Sequence, residues 1–375
     1  MRPSVLFLTL APRPQPLLVS IDGNDKIYVW QIDTLRLYGS VPRSAYLDST
    51  SAVTAIALLP GSAYFFVGTS EGAVMVFDGK QCKRTFYVAA CQAAGGPSPV
   101  ISIAAHPEDA NQLLIGYQSG EVALWDFRGR KASRMFAMAG QSMSLTALAW
   151  HPLGRHFACG YSSGQLVVWD VSSNKPAFIN AGKEVASQGD HHLQQLEPLT
   201  QLRWCSLPQV ADTLLVAVGG TPTDEMQGIT VLHLLEGKVR KSNLIASDRP
   251  IIALEVTGSS FWQNGCHEPG AIIALVQQGG LRAFDINRGL HRLAVPGSIA
   301  FSLSPICCMR VYANAPRFLA DALAAVPDGG PSLAWPLTGG GFAATDAKAP
   351  AGCDILVTAH TDNSIRFWDA RSCTI

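Results

Sequence analysis

The sequence predicts an all-β fold: a single β-propeller of seven four-stranded antiparallel blades. Three observations predict it. First, residues 99–170 hold one unit twice, PVISIAAHPEDANQLLIGYQSGEVALWD and then SLTALAWHPLGRHFACGYSSGQLVVWD. Second, Trp125 and Trp169, which close the two copies, lie 44 positions apart, within the roughly 40–50-residue period of a propeller blade. Third, aliphatic runs broken by many Gly and Pro mark numerous short strands and turns, and no long helical period is present.

The first copy shows why the unit must repeat. Residues 101–105 form a first strand, which His106-Pro107 stops because proline donates no ladder hydrogen bond. Residues 113–117 form a second strand, and Gly120 closes a tight turn where positive φ is cheap only for glycine. In 122–125 one face carries Val122 and Leu124, the other Ala123 and Trp125. Both faces are apolar, so the strand must be covered on both sides. Asp126 ends it with a side chain suited to a turn. A sheet this small cannot bury two faces alone; it needs a like sheet on either side.

Seven copies of the second-strand, turn, third-strand core follow one another. They are LLVSIDGNDKIYVWQI (17–32), YFFVGTSEGAVMVFD (64–78), the two strong copies, LLVAVGGTPTDEMQGITVLHLL (214–235), AIIALVQQGGLRAFDI (271–286) and ILVTAHTDNSIRFWD (355–369). First strands precede them at 5–10, 53–58, 101–105, 145–150, 199–204, 251–256 and 306–312. The blades then span about 4–48, 49–97, 98–140, 141–198, 199–248, 249–303 and 304–375, one domain over 1–375. Trp30, Trp125, Trp169 and Trp368 are read as packing residues between blades. Two segments break the period: 174–198, polar, and 313–352, rich in Ala, Pro and Gly. Both read as loop insertions, either tolerated solvent-facing insertions or places of binding, which tends to sit in long loops on a rigid ring.

Composition narrows function. Lys plus Arg number 28 and Asp plus Glu 28, so the net charge is +0. That argues against nucleic acid, whose phosphates need a basic field. The cluster Lys238, Arg240, Lys241 reads as a solvated turn, with a lipid or phosphate contact as the weaker alternative. Nine Cys are scattered without metal-type pairing, as in reduced core positions of a cytosolic protein; Cys82 with Cys91 is the weaker, disulfide alternative. Residues 5–10 read as a first strand and not a signal, because Pro12, Pro14 and Pro16 follow where a cleavage site would stand. No run approaches the ~20 apolar residues of a membrane span.

Catalytic patterns are missing. There is no P-loop, GxSxG elbow or HExxH. His191-His192 has no cysteine or carboxylate at ligand spacing. Gly219-Gly220 and Gly339-Gly340-Gly341 lack the strand–GxGxxG–helix context of a nucleotide site. His106 and His151, each before proline, read as local structural hydrogen-bonding groups. The sequence therefore predicts a binding protein and no enzyme, with no catalytic, cofactor-binding or metal-ligating residue and no cofactor.

The copies resemble WD40 repeats, with departures. The usual Gly-His dipeptide is missing from most copies, two Trp-Asp positions have become Phe-Asp, and the fifth copy has lost the signature. The His–Ser/Thr–Trp–Asp hydrogen-bond network of such repeats is therefore not expected in most blades. In order, LLIGYQSGEVALWD, SLTALAWHP with GYSSGQLVVWD, VAVGGTP with GITVLHLLEG, SLAWPLTGG and ILVTAHTDNSIRFWDA resemble the lethal giant larvae–tomosyn family over nearly the whole chain. The Gly-Gly-Thr-Pro insertion and 335–340, WPLTGG, separate this resemblance from a plain WD40 protein.

The resemblance implies a non-enzymatic scaffold of vesicle exocytosis. Its expected partners are syntaxin-class SNAREs, with Rab-type GTPases or myosin II for some members, and a role in cell polarity. It places the protein in the cytoplasm, peripheral at the plasma membrane through partners only. Some members are described as GTPase activators, but no arginine finger is identifiable here. The alternative is a generic WD40 adaptor in another multiprotein complex. The family pattern has a further blade before Ser4 and a second propeller after Asp369, so the expectation is a fragment or short gene product. Ring closure is left open, and 370–375 leaves no room for the last outer strand.

Overall fold

The computed structural model describes residues 7–11, 17–31, 36–59, 61–90, 96–138, 143–173, 175–180, 184–187, 190–193, 195–208, 212–222, 227–235, 238–258, 260–262, 265–278, 280–293, 295, 304–316, 352–362 and 364–369. The third blade shows how the pattern becomes structure. Its strands are Val100–Ala105, Gln112–Tyr117, Val122–Asp126 and Lys131–Phe136, hydrogen-bonded in that order. Ile115 faces Ile103 on one side and Ala123 on the other, both antiparallel. Gly120 turns the hairpin at φ +93°. Residues 122–125 are all buried, as the two apolar faces require.

The outer strand joins with a β-bulge between Leu124 and Trp125. The same irregularity falls at Val29/Trp30, Met75/Phe77 and Val168/Trp169 in three other blades. In each it sits against the aromatic slot, where a bulge adds local right-handed twist. The repeated aromatic therefore marks where each outer strand swings away.

The sheets form a ring. In each of the seven the first strand lies nearest the axis: Phe7–Ala11, Val53–Leu58, Val100–Ala105, Leu145–Trp150, Gln201–Ser206, Ile251–Val256 and Ile306–Pro316. Each of these inner strands contacts the next, and the last contacts the first, so the ring closes. The hydrophobic core is correspondingly divided. Six clusters of buried residues each join two successive blades; Leu124 and Phe136 of the third, for example, pack with Leu148 and Phe157 of the fourth. Trp125, Trp169 and Trp368 are buried in these clusters.

Glycine in the second strand makes the close approach possible. Gly68, Gly116 and Gly160 occupy equivalent places, and a Cβ at each would meet Val100, Leu145 or Leu199 of the following blade. The chain uses the absence of a side chain there to seat its neighbour's aliphatic residue.

Three expectations are corrected. The 174–198 segment is not a plain loop. Lys175–Asn180 is the outer strand of the fourth blade, and Glu184–Ser187 pairs with Asp190–Leu193 in a hairpin. Second, Lys238, Arg240 and Lys241 begin the outer strand Lys238–Ala246 of the fifth blade and do not form a turn. Third, the ends of the 313–352 segment belong to strands Ile306–Pro316 and Gly352–His360; 317–351 lies outside the described residues. The last sheet has three strands among the described residues. Cys82 carries a free thiol, and Cys91 lies outside the described residues. Among the described residues, no helix is long and apolar enough to cross a membrane.

Candidate functional site: the axial channel

Seven inner strands around an axis leave a channel whose wall chemistry is set by their side chains. The first four strands carry no charged residue: FLTLA, VTAIAL, VISIAA and LTALAW. The next three carry one each: Arg203 within QLRWCS, Glu255 within IIALEV and Arg310 within ICCMRVYANAP. Charge is thus confined to one side of the ring.

These three side chains meet. Arg203 Nη2 and Arg310 Nη1 each lie 2.9 Å from the same oxygen, Glu255 Oε1. The side chains of Arg203 and Glu255 are each 9% exposed, and that of Arg310 is 38% exposed. Arg203 Nη1 also donates to the Leu202 carbonyl, and Arg310 Nη1 to the Met309 carbonyl. Burying the charges of Arg203 and Glu255 beside a half-buried Arg310 is tolerable because they are paired and hydrogen-bonded. The pair count still leaves two guanidinium groups against one carboxylate.

A cavity of about 280 Å³ opens beside the cluster, lined by Ser102, Thr146, Gln201, Arg203, Cys307 and Arg310 among others. Its walls are fixed across blade boundaries. Gln201 donates to the Ile252 carbonyl at 2.7 Å and accepts from the Leu254 amide at 2.8 Å. Thr146 Oγ1 donates to the carbonyl of Gly160 and contacts that of Leu199 in the next blade. Next to the charged side, Gly265–His267 adds to the inner strand of the fifth blade by a parallel bridge from Ser206 to His267. There Cys266 Sγ sits 3.5 Å from Cys205 Sγ, both thiols free and buried. The hydrogen bond with the Cys205 thiol, and then burial, push the Cys266 thiol up.

The histidines read as structural groups are placed accordingly. His106 Nδ1 accepts from the amides of Glu108 and Asp109, and its Nε2 meets the Gly154 carbonyl of the next blade at 3.3 Å. His151 Nδ1 accepts from the Leu153 amide, and its ring meets Trp204 edge-on. His191 and His192 lie in a strand opposite Ala186 and Val185. Among the described residues, no group of three His, Cys, Asp or Glu is placed to hold a metal. The Arg203–Glu255–Arg310 cluster was not singled out from sequence. Its signal is a single charge inside the apolar first strand of three successive blades.

A closed ring of antiparallel blades with Trp-Asp or Phe-Asp ending several third strands is a WD40-type β-propeller. The WD domain, G-beta repeat family matches residues 133–170, and the Vps8 beta-propeller family matches residues 43–143. The 133–170 match takes the outer strand of one blade with the first three of the next. The curated relatives carry the family read from the motifs, and the resemblance to lethal giant larvae proteins is shown by them. Human LLGL scribble cell polarity complex component 2 is 25% identical over 281 residues, 71% of this chain and 25% of that protein. Lethal(2) giant larvae protein homolog 1 of mouse is 23% identical over 281 residues, 72% of this chain and 26% of that protein.

The chain therefore spans about a quarter of the length of these relatives. Among solved structures, a chain of the mitotic checkpoint complex aligns with a TM-score of 0.63 at 16% identity, covering 98% of this chain and 93% of that one. The Cps50 (Swd1) beta-propeller domain of Myceliophteria thermophila aligns with a TM-score of 0.54 at 12% identity, covering 78% and 86%. At these identities the likeness is one of fold.

Proposed function

We propose that this chain is a non-catalytic scaffold module that serves vesicle exocytosis and cell polarity by holding a syntaxin-class SNARE. The observation that carries the reading is the match to lethal giant larvae proteins along 71% of the chain, one of which is by name a component of a scribble cell polarity complex. A rigid ring suits such work, because its outer strands and loops present surface without loss of core. The rim of the first two blades offers a docking face. Leu37 and Tyr38 on one outer strand and Phe86 and Val88 on the next are exposed, Phe86 completely. Aromatic side chains standing free on a rim are typical anchors for a protein partner.

Rab-type GTPases or myosin II are further partners under this reading, and the protein works in the cytoplasm, held at the plasma membrane through partners. The test is capture of syntaxin-class cytosolic domains on the immobilised chain, with an unrelated propeller as control. Enrichment over the control is the expected result; equal capture overturns the SNARE reading.

A further inference from the structure

We propose that the channel beside Arg203, Glu255 and Arg310 is a binding site for a small phosphate-type oxyanion. This rests on the channel alone and stands whether or not the SNARE reading holds.

The charge is the first reason. Two guanidinium groups share one carboxylate oxygen, and the other inner strands supply no charge to neutralise the remainder. A positive charge enclosed by low-dielectric walls acts more strongly on an anion than one on an open surface. Because the whole chain has a formal net charge of +0, this excess is local.

The donors are the second reason. Arg203 Nε is buried and has no hydrogen-bond partner. A buried unpaired donor on a charged group is costly to leave unmet. Arg310 lies deep within the ring, yet 38% of its side chain stays open because it faces the channel. It meets Glu255 and the Met309 carbonyl through Nη1 alone among the described residues. Arg310 therefore keeps its Nε and Nη2 for another acceptor, while Arg203, whose two Nη atoms are already bonded, adds its charge to the wall. Planar forks of this kind match the oxygens of phosphate.

Space is the third reason. A cavity of about 280 Å³ adjoins these groups, several times what one water requires. Ser102 adds a polar side chain to its wall, whereas the Thr146 hydroxyl proton is already given to a backbone carbonyl. A tetrahedral phosphate fits this space against Arg310 and within the field of Arg203, while Glu255 bridges the two guanidinium groups.

The experiment is calorimetric titration of the full chain with inorganic phosphate in a low-anion buffer, paired with thermal melts. The wild-type chain is expected to bind saturably and to melt higher with phosphate. Arg310→Gln should weaken binding about tenfold or more, with Arg310→Lys intermediate. Glu255→Gln keeps an acceptor but removes the competing charge, so binding should tighten. A purely structural cluster would lose stability in these variants and show no phosphate response. Absence of saturable binding by the wild type overturns the proposal, and so does equal affinity in Arg310→Gln. If Glu255→Gln does not fold by circular dichroism, the Arg310 pair decides alone, since that side chain lies open to the channel. Glycerol 3-phosphate forms a second arm: binding like phosphate points to esterified phosphate, and weaker binding to the free ion, and either supports the site.

Discussion

Gly116 of the third blade lies so close to Leu145 of the fourth that a Cβ on it would fall within the Leu145 side chain, with Leu148 Cδ1 only 2.7 Å away. The two leucines occupy the space a side chain would take. Gly116→Val should therefore cost about 1–3 kcal/mol by overpacking, read as a lower urea midpoint. Leu145→Ala in the same chain should recover part of that loss, because the two positions share one space and cannot behave additively. Full additivity would show that the blade contact is not the cause.

In the last blade a chain of hydrogen bonds replaces the network expected of a regular repeat. Trp368 Nε1 donates to Thr358 Oγ1 at 2.6 Å, Thr358 Oγ1 meets His360 Nε2 at 2.9 Å, and His360 Nδ1 meets the Ser304 carbonyl at 2.8 Å. The consistent assignment has the Thr358 hydroxyl donate to Nε2, with the His360 proton on Nδ1. Thr358→Val keeps the shape but strands the buried His360 Nε2 and removes an acceptor from Trp368 Nε1, so it should cost about 1–3 kcal/mol in denaturant titration. A loss below 0.5 kcal/mol, roughly that of a bland surface change, would show that the chain contributes nothing. Among the described residues the first blade has only Trp30 Nε1 to Ser20 Oγ at 3.0 Å, and the third has Trp125 Nε1 to Tyr87 Oη at 3.0 Å.

Stability should fall on mild acidification. Burial lowers the pKa of His106 and of His360, and lowers that of His151 to about 4, with His156 and Arg155 adding repulsion there. An unfolded histidine titrates near ~6.5, so between that pH and the folded value the unfolded chain binds more protons. Stability is full above pH ~6.5 and declines as pH falls toward 4, by at most about 1.4 kcal/mol per pH unit for each histidine. Urea titrations at pH 7.5, 6 and 5 should show the decline. His151→Gln should flatten it, and an unchanged slope would remove His151 as a contributor.

Phe86 is fully exposed on the outer strand Lys83–Ala90, while Ala89 on its other face is buried. Phe86→Asp should leave stability within about 0.5 kcal/mol and reduce capture of a syntaxin-class domain. Unchanged capture by a folded variant would move the docking face away from this rim.

Legibility followed burial. The inner three strands of most blades were readable because both faces are covered, so apolar runs and turn glycines mark them. The outer strand Lys175–Asn180 was not. Lys175, Pro176, Ala177 and Ile179 are exposed and only Phe178 is half-buried, so no stripe announces it. The hairpin of 184–193 was hidden for a similar reason, its sequence being polar with an adjacent histidine pair.

The charged cluster was hidden differently. Glu255 lies 52 positions from Arg203 and 55 from Arg310. Each charge looks incidental within its own strand, and only the ring brings them to one point.

The sequence alone determined the all-β class, the seven repeated hairpins and the aromatic slots between blades. These depend on local turn chemistry and on strands that cannot leave either face in water. The tertiary structure decided closure of the ring, the outer strands without an apolar stripe, and the meeting of Arg203, Glu255 and Arg310. Those depend on how sheets far apart in the chain stand around one axis, and no local pattern of residues encodes that distance.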